Sequence, residues 1–572
     1  MAARTGERSA GERRLPLSFG KPDKILRENW RAANRPAANV LSQIRNKAGL
    51  NPRTASSVAG TVVKALILLL TFAVTGIVGW ADAIQAARIE SIENIVVIYA
   101  ENRSFDNLYG FFPGANGLAG IKPEQYTQRD RDGAVLKELP PIWGGLTAKG
   151  VEPAITQAQT EHLANAPFAI DNPKGFNLPL GVTTRDLWHR FYENQMQIDG
   201  GKNDAFAAWA DSGGLVMGHY ATSKLPLWDV AKHYVLADNF FMGAFGGSFL
   251  NHFALICACT PSYPNADQSP AKSSISVVEN DGVTLRPAAD SPKSALQGPP
   301  KFVNDGNLTP DFYAVNTMQP PYQPSANGPP PGGNPAYADP TKPTTLPPQT
   351  EQTIGDLLSA KGVTWAWYAG AWQATLDGKN AVPVPNFQYH HQPFNYFADM
   401  APGTAARAEH LRDGGLGGSE FIKAIDNGAL PQVAFYKPQG NLNEHPGYTD
   451  VLDGDRHVAD LIVHLQKSPQ WAHMVVIVTY DENGGFWDHA APPKGDRWGP
   501  GSRIPALIVS PYAKQEFVDH TLYDTTSILS LITKRFALPT LPGLQRRNAA
   551  VAAANGGQPL GDLTNALDFT PR

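Results

Sequence analysis

Short unbroken apolar runs and longer amphipathic stretches take turns along most of this chain. Residues 94–100, 234–238, 363–369, 432–437, 475–480 and 504–510 are apolar or β-branched almost throughout, without the alternation of a half-exposed strand. Such runs predict strands covered on both faces. Stretches 203–211, 352–361, 418–426, 455–467 and 524–536 instead carry apolar residues at helical spacing. Strands and helices in alternation predict an α/β fold.

Two of the runs end in the same way. Ile95-Val96-Val97-Ile98-Tyr99-Ala100 leads into Glu101-Asn102-Arg103-Ser104-Phe105-Asp106, and Val475-Val476-Ile477-Val478-Thr479-Tyr480 leads into Asp481-Glu482-Asn483-Gly484-Gly485-Phe486-Trp487-Asp488-His489. The carboxyl ends of sheet strands are where α/β enzymes hold their ligands. Carboxylates are hard oxygen ligands, and adjacent glycines let the backbone approach a bound group, so these ends point to a divalent cation and an anionic substrate. Helix capping by Asn102 or Ser104 is the plainer account of the first run alone. Two such ends in one chain favour a site.

Residues 260–349 break the alternation with a stretch rich in Pro, Gly, Asn and Asp, including Gln319-Pro320-Pro321 and Pro329-Pro330-Pro331-Gly332-Gly333. Loops of that length are uncommon inside a domain unless they are functional. A lid or small subdomain at the active site is expected, with surface decoration as the alternative.

From Met1 to Lys64 thirteen basic residues face four acidic ones, without apolar periodicity. The apolar run Ala65 to Trp80 follows, too short for a comfortable membrane span. Ala81-Asp82-Ala83 then supplies a small-x-small cleavage pattern. Residues 1–83 therefore read as a basic leader plus a signal peptide cut after Ala83, and residues 84–572 as an exported, periplasmic or secreted domain carrying the insertion. A signal anchor over residues 58–80 is the rival reading. No methionine lies between Met1 and Met196, and a non-ATG start near Val62 or Val63 would account for the long leader.

Residues 1–83 hold thirteen basic and five acidic residues, so removing their +8 from the chain's net −4 leaves about −12. That balance excludes a general nucleic-acid binder. A phosphate must be gripped locally against an acidic background, as a metal ion does well. Cys257 and Cys259, in a strand-like stretch, read as core packing rather than as a disulfide or a metal knuckle.

In Met242-Gly243-Ala244-Phe245-Gly246-Gly247-Ser248-Phe249-Leu250-Asn251-His252 a serine follows two glycines. Glycines there expose the hydroxyl and free backbone N–H groups to stabilise developing negative charge, with Asn251 about one helical turn on. Leu250 stands where a Gly-x-Ser-x-Gly elbow has its second glycine, which counts against an ordinary serine esterase. A loop with an N-cap serine is the bland alternative. Histidines gather in similar surroundings: His189 in Asp186-Leu187-Trp188-His189, the pair His390-His391, His445 in Asn443-Glu444-His445-Pro446, and His489. A protonated histidine binds phosphate oxygens or protonates a leaving alkoxide; a neutral one ligates metal.

Taken in order, residues 101–106, 186–189 with Asp199-Gly200-Gly201-Lys202, 246–252, 443–446 and 480–489 resemble the acid phosphatase/phospholipase C superfamily of bacterial phosphoesterases. The resemblance implies an alkaline-phosphatase-like core, a central mostly parallel sheet flanked by helices. It implies one divalent metal cation held by Glu101, Asn102, Ser248, Asp481 and Glu482. Ser248 would attack phosphorus, and His189, Asn251, His390, His391 and His445 would line the phosphate pocket. Some relatives have Asp-Asp where this chain has Asp481-Glu482. Coordination makes a serine hydroxyl nucleophilic at neutral pH, and water would hydrolyse the resulting phosphoserine. His445 is the first choice for protonating the leaving group, while Asp488 and His489 are expected to support the site from behind.

Gly246 to His252 and the His390-His391 pair resemble the acid phosphatase branch, since the phospholipase branch tends to use threonine in a Pro-Thr-x-Pro-Asn-Arg-like context. Phosphomonoester hydrolysis is therefore the expected activity. Phospholipase C is the alternative, with membrane contact through the N-terminal apolar segment or the insertion. An alternative of another class is a non-catalytic phosphate- or lipid-binding module. Oxygen ligands fit calcium, magnesium or manganese, and added histidine admits zinc.

Overall fold

The computed structural model describes residues 89–221 and 223–570. The basic leader, the apolar run and the predicted cleavage after Ala83 lie outside the described residues. Eight strands form the main sheet: β1 (Asn94–Ala100), β2 (Val235–Ala237), β3 (Trp365–Gly370), β4 (Leu411–Gly415), β5 (Val433–Lys437), β6 (Met474–Tyr480), β7 (Ala506–Val509) and β8 (Phe517–Asp519). Their hydrogen-bonded order is β8-β2-β7-β6-β1-β5-β3-β4. Neighbours run parallel except at β7, which is antiparallel to both β6 and β2. This is the expected α/β architecture with a mostly parallel sheet.

The unbroken apolar runs became the inner strands. Ile95 to Ile98 and Val475 to Val478 are fully buried, and burying each such side chain contributes roughly 1.5–3 kcal/mol. The two strands absent from the expected set, β4 and β8, sit at the sheet's edges. β4 reads Leu-Arg-Asp-Gly-Gly, because an edge strand keeps one flank in water and needs no apolar run.

The helices that concern the site are α1 (Phe105–Tyr109), α2 (Phe191–Ile198), α3 (Pro226–His233), α4 (Ser248–Cys257), α5 (Ile354–Lys361), α6 (Ser419–Asp426), α7 (Val451–Lys467) and α8 (Thr526–Phe536). Four of the five expected helices correspond to α5, α6, α7 and α8. The fifth, 203–211, is a series of turns. Its backbone groups are claimed from outside: Gln128 Oε1 accepts the N–H of Ala207, and the Arg131 guanidinium donates to Ala208 O. With those groups taken, only an isolated turn forms, Trp209 N–H donating to Ala205 O at 3.2 Å.

Cys257 and Cys259 form a disulfide, which corrects the expectation of core packing. The segment is the end of α4 rather than a strand, and Ala258 is left-handed at φ 47° and ψ 39°. That turn brings the two Cα atoms to 5.1 Å, within disulfide range.

Residues 260–349 are ordered by isolated bridges, such as Ser262 with Tyr313 and Tyr322 with Tyr337. They are also tied to the body, with Arg131 donating to Gly298 O and Tyr396 Oη to Met318 O. Among the described residues no helix is long and apolar enough to cross a membrane.

Asp455 on α7 docks α3, its Oδ1 accepting the N–H of Leu227 at 2.9 Å. Burial pushes this carboxyl up to about 7, so folding disfavours its ionised form. A raised acid contributes stability that is fully present below its unfolded pKa and is lost as pH rises through the folded value. Asp455→Asn keeps the acceptor and removes the titration. Its melting temperature relative to the parent protein should climb between pH 4 and about 7 and then level off, an advantage of at most roughly a few kcal/mol.

Candidate active site

The site exists because β1, β5 and β6 are neighbours and stop at the same edge. Ala100 pairs with Tyr480 in register, so Glu101-Asn102 and Asp481-Glu482 leave the sheet side by side. Lys437 closes β5 on the other flank of β1. Asn102 is left-handed at φ 63°, a conformation Asn tolerates better than most residues. The bend lets its N–H donate to Asp481 Oδ1 at 3.2 Å. Gly484 packs so closely on this turn that a Cβ would lie 2.3 Å from Asn102 O.

Ser248 is the first residue of α4, and its Oγ donates to Asn102 Oδ1 at 3.3 Å. The position places the hydroxyl among the unpaired N–H groups of a helix N-terminus, which favour a developing anion. Gly246, at φ 90°, lets the preceding turn cross α2, where a Cβ would lie 2.4 Å from Phe191 N. Asn251 holds this turn rather than facing the pocket. Its Oδ1 accepts Ala244 N–H at 2.8 Å and its Nδ2 donates to Ala244 O and Gly247 O, which leaves no group for a phosphate and corrects its expected role.

The three carboxylates are completely buried. Burial, with the Glu101 charge nearby, pushes the Asp481 carboxyl up to about 6 against the pull of Lys437. Burial and Asp481 hold Glu482 well above the usual carboxylate range. Glu101 goes the other way: burial would raise it, but His391 and Lys437 hold it well below. The Lys437 ammonium, itself fully buried, lies 2.8 Å from Glu101 Oε1 and 3.7 Å from Asp481 Oδ2, and donates to Ala100 O at 3.3 Å. His391 Nε2 makes a close contact with Glu101 Oε1. Asp481 Oδ2 and Glu482 Oε1 have no hydrogen-bond donor although they are buried. Two such oxygens, beside Ser248 Oγ and Asn102 Oδ1, fit a hard divalent cation, since Lys437 and His189 approach them only at 3.7 and 3.8 Å without a hydrogen bond.

The histidines form two groups. His390, His391 and His252 pack together, with His252 and His391 stacked at 5.6 Å. Burial lowers the pKa of all three. His189 and His445 face each other with ring centroids 5.4 Å apart. Each spends Nδ1 on a backbone carbonyl, Leu187 O and Pro446 O, and so presents Nε2 inward. His189 Nε2 is engaged by Asn102 Nδ2 at 3.3 Å and lies 3.8 Å from Glu482 Oε1. Burial would lower its pKa, yet the Glu482 and Asp186 charges raise it to about 9. His445 lies against Tyr448, whose hydroxyl donates to Glu101 Oε2.

A cavity of about 390 Å³ opens over Ser248, His189, His390 and His445. The insertion supplies part of its wall through Asn307, Asn316 and Thr317. It is fixed there by an Arg190–Asp305 ion pair at 2.7 Å and by Asn316 Oδ1 accepting the N–H of Phe191. Asp488 and His489 lie behind the loop rather than in the cavity: Arg503 donates to both Asp488 and Asp106 at 3.0 Å, and His489 binds Asp106. Sequence reasoning did not single out Lys437, His252 or Tyr448. For Lys437 the signal was present, a lysine ending an otherwise apolar strand, and His252 follows Ser248 by one helical turn.

Lys437→Met leaves Glu101 and Asp481 without their ammonium, and denaturant titration of chelated protein should show a loss of about 3–5 kcal/mol. Lys437→Arg keeps the charge and should lose less; equal losses would assign the effect to packing. Gly484→Ala forces Asn102 aside and should lower kcat about tenfold or more while the far-UV spectrum stays unchanged.

The Phosphoesterase family profile matches residues 92–539. Phospholipase C B of Mycobacterium tuberculosis is 24% identical over 521 residues, covering 84% of this chain and 78% of that protein. Non-hemolytic phospholipase C of Burkholderia pseudomallei is 24% identical over 519 residues, covering 85% of this chain and 60% of its own length. Among solved structures, a protein in the alkaline phosphatase superfamily from Vibrio parahaemolyticus aligns with a TM-score of 0.28 and 12% identity, over 59% of this chain and 65% of that one. With the family profile spanning both strand-end acid pairs, Ser248 and the three histidines of the cavity, while His391, expected to line it, packs behind on Glu101, the chain belongs to the Phosphoesterase family.

Proposed function

We propose that this protein is a phospholipase C-type phosphoesterase that cleaves phospholipid phosphodiesters at Ser248. The observation that carries the reading is the placement of Ser248 Oγ at a helix N-terminus, 3.3 Å from Asn102 Oδ1, on the floor of the cavity. The relatives described above are named phospholipases C, which supports the diester over the phosphomonoester favoured from residues 246–252 and His390-His391.

Glu101, Asn102, Asp481, Glu482 and Ser248 would hold a divalent cation, which when bound would lower the pKa of the serine hydroxyl and offset charge on the phosphoryl group. Ser248 Oγ attacks phosphorus, and the bond to the diacylglycerol oxygen breaks. The N–H groups at the start of α4 face the negative charge that develops. His445 Nε2 protonates the leaving oxygen and then takes a proton from the water that attacks the serine-bound phosphoryl headgroup, so that the Ser248–phosphorus bond breaks and the phosphorylated headgroup leaves. His445 Nε2 lies 3.9 Å from Glu101 Oε2, whose charge opposes the lowering of the imidazole pKa by burial. Export belongs to the same proposal: Ala65 to Ala83 has the form of a signal peptide, and a paired Cys257–Cys259 suits an oxidising compartment.

Phosphocholine release from phosphatidylcholine and phosphate release from p-nitrophenyl phosphate, each with and without chelator, test the reading. Diester cleavage should dominate, disappear with chelator, and fall about a thousandfold or more in Ser248→Ala. Faster monoester turnover would restore the acid phosphatase reading, and binding without turnover would leave a binding module. His445→Gln should slow esters of alkyl alcohols far more than p-nitrophenyl esters, whose leaving group needs no proton. Equal slowing would remove His445 from the acid role.

A further inference from the structure

We propose that the loop at residues 376–385 is an interfacial anchor that seats the protein on a phospholipid bilayer beside the catalytic cavity. The proposal rests on the phospholipase reading and adds the surface from which the substrate is drawn. Leu376, Val382 and Val384 are 41%, 78% and 56% exposed, and Val382 is the most exposed large apolar side chain among the described residues. Ala381 and Pro383 are exposed between them. Scattered apolar residues on a surface need no explanation, whereas a cluster of this kind marks a contact.

The loop is built to hold its shape. Asn380 closes the base, its Oδ1 accepting the N–H of Phe387 at 2.8 Å and its Nδ2 donating to Phe387 O at 2.9 Å. Asn386 N–H donates to Ala381 O at 3.0 Å, completing the ring of the tip. Pro383 at the exposed tip has no N–H to leave unpaired, so the tip enters an apolar phase at lower cost than it would with another residue there. A Cβ on the neighbouring Gly378 would meet nothing within 4 Å, so the flank is open. Lys379, its side chain 72% exposed and its Nζ 3.7 Å from Asp377 of the same loop, has an apolar stem long enough to lie along the interface while the two charges stay at headgroup level.

The loop is also coupled to the chemistry. Phe387 is buried against Trp372 and His391, and the next residues, Gln388 and His390, line the catalytic cavity. Seating the tip in a bilayer therefore brings the cavity close to the headgroups. A protein partner would require a complementary socket, while a rigid apolar tip with few donors suits any fluid lipid surface.

The test uses the full chain with phosphatidylcholine vesicles. Val382→Asp combined with Val384→Asp should reduce cosedimentation about tenfold or more, Val382→Trp should increase it, and melting temperatures should match the parent. Turnover of soluble p-nitrophenylphosphorylcholine should be unchanged in all. Val382→Cys carrying an environment-sensitive fluorophore reports the tip alone and should shift to the blue on vesicles. No shift, or vesicle partition equal in the parent and the double variant, overturns the anchor. Failure to turn over any phosphodiester would instead sink the phospholipase reading, and the fluorophore would still decide the anchor.

Discussion

Glu101, Asp481 and Glu482 are buried within one small volume, and the Lys437 ammonium is placed among them. Like charges in a medium of low polarity repel strongly, and each buried ion forfeits several kcal/mol of hydration. The carboxylates remain together because their backbones cannot separate. β1 is hydrogen-bonded to β5 on one side and β6 on the other, and all three strands are buried along their length. The surplus negative charge is thus a consequence of strand order, supported by the apolar core beneath it. The raised carboxyls of Asp481 and Glu482 express the same cost, and an added cation is the direct way to relieve it.

Around that charge the remaining parts take their positions. α4 points its N-terminus at the carboxylates, where Ser248 meets Asn102, and Asn251 spends its amide on keeping the glycine turn closed. Tyr99 secures the helix further along, its hydroxyl donating to Asn251 O at 3.1 Å. The insertion reaches the same cavity from outside through residues fixed to the start of α2. One wall of the pocket thereby comes from a segment with almost no regular secondary structure.

The inner strands were legible because burial on both faces demands an unbroken apolar run. β4 and β8 were not, since edge strands carry no such demand. The carboxylates and Ser248 stood out because acids after a strand and a serine after two glycines are each unusual in local context. Lys437 escaped because one lysine at a strand end is common; only strand order makes it the partner of Glu101. Asn251 was misjudged for a similar reason: its spacing from Ser248 suits either a pocket or a turn, and only the hydrogen bonds distinguish them. The disulfide depended on a left-handed Ala258, a conformation that alanine seldom signals.

β7 is the strand that runs against the others, so its amino-terminal end arrives at the edge where its neighbours finish. Arg503, just before it, enters that edge already anchored by a strand instead of by a loop. Its guanidinium joins Asp106, in the segment following Glu101-Asn102, to Asp488, in the segment following Asp481-Glu482. Two loops leaving separate strands are cross-braced by a single planar cation, so they move as one body. A sheet of uniform direction would have presented only departing chain at this edge, leaving the two arms of the ligand cradle to find their spacing independently.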